Sequence, residues 1–386
     1  MGQMKDSPDT AMAARLDPIV DAALADGRLA GAVVLVARDG ALTYARAAGK
    51  ADLETGRSMT RDAIFRASSL TKPIVTAAAL SMVEDGVFGL DDPVTRFLPD
   101  FQPKWQDAAP AISIRHLLTH TAGLSYGFMQ PNDGPYLQLR VSDGMDQPGL
   151  GFAENLARIT QAGLFFPPGA AWLYSVGMDV LGAAMEQAAG KSLSEVVAER
   201  VTRKLGMTDT GFTVADRARL ARAYADGPPP QPMGKTHIVP FAELSGIRFA
   251  PDRIFDPGSF PSGGAGMACS APDMLVFLEA IRTGGGGVVS PETAKAMMTN
   301  QTGDLPIIIV GPGVGFGFGG AVLLDPSQSG SPHLPGAWQW GGVYGHTWYV
   351  DPSRRTSFVL MTNTSVEGMS GRLSQELTAA AAQATS

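Results

Sequence analysis

Between Leu70 and Val83 the chain carries only apolar or small residues and one charge, Lys72. A helix that is apolar nearly all round has to be buried, so the rest of the fold must wrap around this segment. Ser69 stands at its entrance and Lys72 three residues on, a spacing that puts both side chains on one helical face. Pro73 falls in the first turn, where no intrahelical bond from its nitrogen is needed, and Gly86 is a suitable stop. A lone ammonium in an apolar helix is costly unless it is paired or gives up its proton. That tension is what a Ser–Lys nucleophile requires. The motif alone also fits an N-cap serine and a surface lysine, so other stretches of the chain have to decide between the two.

The 386 residues, 45% hydrophobic, are enough for one elaborate domain or two intimate ones. The formal charge is -7 with no basic block, which argues against nucleic acid and anionic membrane as partners. Cys269 is the only cysteine, so an intramolecular disulfide is impossible and a cysteine-based metal site is not expected. The polar start, Met1 to Pro8, lacks a signal-peptide core, and no apolar run reaches membrane-span length. These features predict a soluble cytoplasmic protein without cofactor or metal. They leave the oligomeric state open.

Leu16, Ile19, Val20, Ala23 and Leu24 recur at helical spacing, predicting a helix to about Asp26, with Asp17-Pro18 as a possible true start. Residues 30–37 and 41–48 read as two strands joined by an Asp39-Gly40 turn. Short helical pieces with Pro and Gly loops run from about 90 to 215, with helices predicted near 153–162, 177–189 and 193–204. Residues 226–262 are irregular, and Pro228-Pro229-Pro230 argues against a regular element there. Helices are expected at about 272–282 and 291–299. Strands come next near 315–324, 336–350 and 356–363, then a closing helix at about 371–383. Hairpin-linked strands mean an antiparallel sheet, and helices at both chain ends can cover it.

Two further stretches carry possible chemistry. Tyr174, in Trp172-Leu173-Tyr174-Ser175-Val176-Gly177, stands at a loop-to-helix junction and can point into a cleft. Trp340-Gly341-Gly342-Val343-Tyr344-Gly345-His346 lies on a late strand whose paired glycines allow close approach of a ligand or another backbone. Trp340 and Tyr344 shape a pocket or belong to the core, and His346 lines the site or packs. Tyr126, in the long loop 126–151, is placed to wall a pocket. Gly123-Leu124-Ser125-Tyr126-Gly127 matches Gly-x-Ser-x-Gly, but it comes after a helical segment instead of forming a strand-turn-helix elbow. His116 and His120 are four apart without a third ligand nearby, which favours a structural role over metal.

Ser69-x-x-Lys72, then Tyr174, then a glycine-rich strand is the order of the serine β-lactamase and penicillin-binding-protein superfamily, and the spacings resemble its class C branch. Leu90-Asp91-Asp92-Pro93-Val94, Ile114 to Leu124, and Ser262-Gly263-Gly264-Ala265-Gly266 resemble that branch as well. The likeness spans about 16–363. Two departures make the chain look most like the family VIII carboxylesterases. Tyr174-Ser175-Val176 replaces Tyr-x-Asn, and Trp340-Gly341-Gly342 replaces Lys-Thr-Gly, trading an amide and an ammonium for apolar groups that suit uncharged esters.

The resemblance implies an α+β, β-lactamase/transpeptidase-like fold. Residues 1–85 and 216–386 would form a sheet domain flanked by helices and 86–215 a mostly helical one, with the active site between them. It implies a serine carboxylesterase for short- to medium-chain esters. Ser69 is the expected nucleophile and Lys72 or Tyr174 the base, with the backbone N–H groups of Ser69 and Val343 as the oxyanion hole. Trp340, Gly341, Gly342, Tyr344, His346, Tyr126 and Val176 are the expected pocket. An ammonium beside a phenol is expected to lower the phenol's pKa, and partial burial to lower the lysine's. A β-lactamase, a D-stereospecific peptidase and an acyltransferase are the competing activities.

Overall fold

The computed structural model describes residues 5–384, so Met1 to Met4 of the polar N-terminus lie outside it. Helix α1 spans Thr10–Ala25 and is capped by Asp9, whose side chain accepts from the Ala11 and Met12 N–H groups. The start expected at Asp17-Pro18 is therefore displaced, and Pro18 lies inside the helix. Burial of Leu16, Val20 and Ala23 outweighs the one backbone bond that Pro18 removes. Asp17 instead accepts from the Tyr44 hydroxyl at 2.7 Å and pairs with Arg46 at 2.8 Å.

Strands β1 (Gly31–Arg38) and β2 (Ala41–Asp52) form the expected hairpin. Asp39 (φ 54°) and Gly40 (φ 81°) both take the left-handed conformation that such a two-residue turn requires. After β3 (Arg57–Ser58), the remaining strands of the main sheet come late in the chain: β4 (Val314–Phe316), β5 (Ala321–Leu323), β6 (Trp338–Gly342), β7 (His346–Asp351) and β8 (Thr356–Thr362). They join one antiparallel sheet in the order β4-β5-β6-β7-β8-β1-β2-β3. Central β1 pairs Val34 with Leu360 on one side and Arg46 on the other.

Alternation along the strands gives each face its own partner. Val34, Val36, Phe358 and Leu360 pack under α1 and the closing helix α5 (Arg372–Ala384). Val33, Leu35, Val359 and Met361 face the main core, which includes Phe277 and Leu278 of α4 (Ala271–Arg282). That core also takes in Leu117 and Ile159 from the helical stretch, so the two parts of the chain share one interior.

Helix α2 (Thr71–Glu84) runs through this interior with every residue from Thr71 to Met82 buried, as its composition demands. A short 3-10 turn, Ser68–Leu70, leads into it, and Gly86 (φ 70°) comes directly after its C-cap, Asp85. Helix α3 (Gly177–Ala189) packs against α2. The region 226–262 is less irregular than expected: the proline run is the turn of a small hairpin, Tyr224–Ala225 with Gln231–Pro232, and His237–Val239 pairs with Ile247–Phe249. Among the described residues no helix is long and apolar enough to cross a membrane.

Candidate active site

Ser69 sits in the 3-10 turn at the mouth of α2 and is 7% exposed. The residue before it, Ser68, is held at φ 44°, a conformation costly for a non-glycine residue. The Tyr344 N–H donates to Ser68 Oγ at 3.3 Å and braces the turn. Gly342 lets β6 close on this turn: a Cβ there would lie 2.6 Å from Ser68 Oγ and 2.9 Å from the Ala67 carbonyl oxygen. Gly341 is similarly tight, with a Cβ position 3.0 Å from the His346 carbonyl oxygen. The paired glycines thus serve backbone approach.

Two polar groups meet at Ser69 Oγ. Lys72 Nζ lies 3.1 Å away, and the Tyr174 hydroxyl donates at 2.7 Å. Lys72 Nζ also donates to the Gly264 carbonyl at 2.8 Å and lies over the Tyr174 ring, 4.5 Å from its centroid. The Trp340 indole N–H donates to the Tyr174 oxygen at 3.0 Å. With its oxygen engaged by the indole, the phenol directs its own proton at Ser69.

Burial shapes the proton inventory. Desolvation pulls Lys72 down to about 7, against the charges of Asp179 and Asp143, which raise it. Desolvation pushes Tyr174 well above its ordinary value, and the hydrogen bonds with Ser69 and Trp340 only partly offset this. The expected lowering of the phenol is therefore reversed. The lysine is fully buried and loses much of its charge near neutrality, leaving no fixed cation strong enough to ionise the phenol.

Asp179, on α3, is the functional candidate that sequence reasoning passed over. It is 1% exposed, accepts from Ser262 Oγ at 2.5 Å and from the Gly264 N–H at 3.2 Å, and so holds the loop that presents the Gly264 carbonyl to Lys72. Burial raises its pKa, and Ser262 and Lys72 lower it. Its signal was present: a lone acid between Met178 and Val180 in an otherwise apolar stretch of helix, the same anomaly that marked Lys72.

The expected pocket residues divide. Tyr126 belongs to the centre, its ring 4.9 Å from that of Tyr174 and 5.1 Å from Lys72 Nζ. Trp340 belongs to it through Tyr174, with Phe316 edge-on at 5.3 Å. His346 does not line the site. It is wholly buried, its Nε2 is 2.8 Å from the Arg66 carbonyl oxygen and its ring is edge-on to Phe65. Val176 is also wholly buried, its N–H on the Ser125 carbonyl, and so fixes the start of α3. The Tyr344 ring packs edge-on to Phe249 at 4.7 Å, so this residue acts through Ser68.

The remaining polar candidates have structural partners. Ser125 Oγ donates to the Tyr126 carbonyl at 3.1 Å and is 1% exposed. His116 caps the Ile114–Leu118 helix, accepting from the Ser113 N–H, while His120 Nδ1 lies 3.2 Å from Ser175 Oγ. Among the described residues no cluster of histidine, cysteine or acid side chains could hold a metal. Cys269 is buried, with Thr210 Oγ1 donating to its sulfur at 3.2 Å.

A family model described as Beta-lactamase matches residues 16–383. The chain belongs to the beta-lactamase family. Within that family it is 48% identical over 367 residues to Esterase EstB of Burkholderia gladioli, covering 94% of this chain and 93% of that protein. It is 27% identical to the lovastatin esterase of Penicillium rubens, covering 87% of this chain and 89% of that one. The solved structure of EstCE1, a hydrolase with promiscuous acyltransferase activity, matches at a TM-score of 0.91 and 43% identity, covering 96% of this chain and 98% of that one. The beta-lactamase fold and its large antiparallel sheet follow from these matches and from the strand order.

Proposed function

We propose that this beta-lactamase-family protein is a serine ester hydrolase acting on small, uncharged esters of short to medium acyl chain. The observation that carries the reading is the Ser69–Lys72–Tyr174 cluster with an indole bonded to its phenol. Nothing at that indole attracts a substrate carboxylate, as an ammonium would. Aromatic rings from His120, Trp172, Phe316 and Trp340 crowd Tyr174 and one another, so the walls around the nucleophile are apolar.

Lys72, unprotonated, takes the Ser69 proton as Oγ attacks the ester carbonyl. The backbone N–H groups of Ser69 and Val343 stabilise the resulting oxyanion, the first aided by the start of α2. Tyr174 passes its proton to the departing alkoxide as the C–O bond breaks and recovers one from Lys72. Water then attacks the acyl-enzyme and releases the acid. The cleft lies between a sheet-bearing unit, residues 1–85 and 216–386, and a mostly helical unit, 86–215; every paired strand among the described residues belongs to the first.

Hydrolysis of p-nitrophenyl butyrate beside nitrocefin, with wild type and Ser69→Ala, tests the reading. Rapid ester cleavage lost in the variant, with little nitrocefin turnover, supports it. Rapid nitrocefin turnover with poor ester cleavage makes the protein a β-lactamase instead. Acyl transfer to an added alcohol is a second reading, favoured by the likeness to EstCE1, a hydrolase with that promiscuous activity. An ester product with the new alcohol would show it.

A further inference from the structure

A cavity of about 680 Å³ opens between the Pro135–Gln138 helix and the His237–Val239/Ile247–Phe249 hairpin. Ser69, Lys72, Tyr174 and Trp340 are not among its lining residues. Part of its wall is apolar, with the buried Tyr136 and Phe249, Leu137 beside them, and the half-exposed Ile238 at the rim. Two guanidinium groups, Arg140 and Arg248, line it as well. Neither forms an ion pair among the described residues. Arg248 Nη1 is shielded from solvent and has no hydrogen-bond partner.

A shielded guanidinium nitrogen without an acceptor leaves donor capacity unused, and guanidinium pairs best with planar, two-oxygen anions. The one acid on the wall, Asp146, is already engaged: its carboxylate accepts from Ser142 Oγ at 2.5 Å and from the Gln147 amide at 3.3 Å. Two guanidinium groups against one carboxylate leave an excess of positive charge beside the apolar part of the wall, and the volume falls in the range of small-molecule sites.

We propose that this cavity is a second binding site, separate from Ser69, for an organic carboxylate with an apolar body, held by Arg248 and Arg140 through the carboxylate and by Tyr136, Leu137 and Phe249 along the chain. Ester hydrolysis releases molecules of this class. Two cavity-wall residues also contact residues that border the catalytic centre. The Tyr136 hydroxyl oxygen accepts from the Ser125 N–H, and Phe249 packs on Tyr344, which braces Ser68.

Titration calorimetry with octanoate on protein whose Ser69 has been blocked by diisopropyl fluorophosphate tests the site. Saturable one-to-one binding is expected, at least tenfold weaker for octanol and for acetate. Arg248→Gln and Arg140→Gln are each expected to weaken octanoate binding at least fivefold. Ile238→Asp, at the exposed rim, does the same without touching the core, and thermal melting confirms that each variant is folded. No octanoate binding to the blocked protein, equal binding of octanol, or affinity unchanged in the folded arginine variants would overturn the proposal. A failure of Ser69→Ala to lose ester turnover would bear on the catalytic reading and leave this result intact.

Discussion

The Trp340 indole N–H donates to the Tyr174 hydroxyl oxygen at 3.0 Å, and that hydroxyl donates to Ser69 Oγ at 2.7 Å. Trp340 therefore orients the phenol as well as lending the site an apolar ring. Trp340→Phe keeps the ring packing against Phe316 and deletes the donor. One buried hydrogen bond is worth about 1–3 kcal/mol when its partner is left unpaired, so kcat for p-nitrophenyl butyrate should fall roughly 5- to 150-fold. KM should change little, which steady-state kinetics reads directly.

The pH profile follows from Lys72. The lysine is a base only without its proton, and burial brings its pKa to about 7. kcat/KM should rise as pH increases through about 7 and then level. Tyr174, pushed above its ordinary value, adds no fall on the alkaline side below that value. A profile flat from pH 5 to 9 would remove Lys72 from the role of base.

Asp179 opposes that shift, because its negative charge favours the protonated lysine. Asp179→Asn keeps an acceptor for Ser262 and the Gly264 N–H while removing the charge. The Lys72 pKa should drop further, moving the acid limb of kcat/KM to lower pH by roughly one unit. A loop-holding role alone would lower activity without moving the limb.

Gly342→Ala places a methyl group against Ser68 Oγ, the Ala67 carbonyl and Leu70 Cδ1, all within 2.9 Å. These neighbours are backbone and packed core, so β6 has to shift away from the Ser69 turn. Activity should fall at least tenfold and the melting temperature with it. Gly151→Ala, whose Cβ would meet nothing within 4 Å, is the control for a methyl group in open space and should leave activity unchanged.

The sequence revealed most where burial contradicts composition. Lys72 inside an apolar helix marked the residue proposed as the base, and hairpin turns such as Asp39-Gly40 exposed the sheet. Asp179 carried the same signal on α3 and was legible in principle. Other features depend on groups far apart in the chain. The Trp340 bond to Tyr174 spans 166 residues, and His346 turns to the Arg66 carbonyl 280 residues away. No local spacing encodes those directions. Pro18 inside α1 shows the converse, a local breaker overruled by an apolar face that tertiary packing buries.

The most direct test of the account is intact-mass and peptide analysis after reaction with diisopropyl fluorophosphate. One phosphoryl adduct on Ser69, absent from Ser69→Ala and from Lys72→Ala at neutral pH, is the predicted result. An adduct on Ser125, or an undiminished adduct in Ser69→Ala, would contradict it.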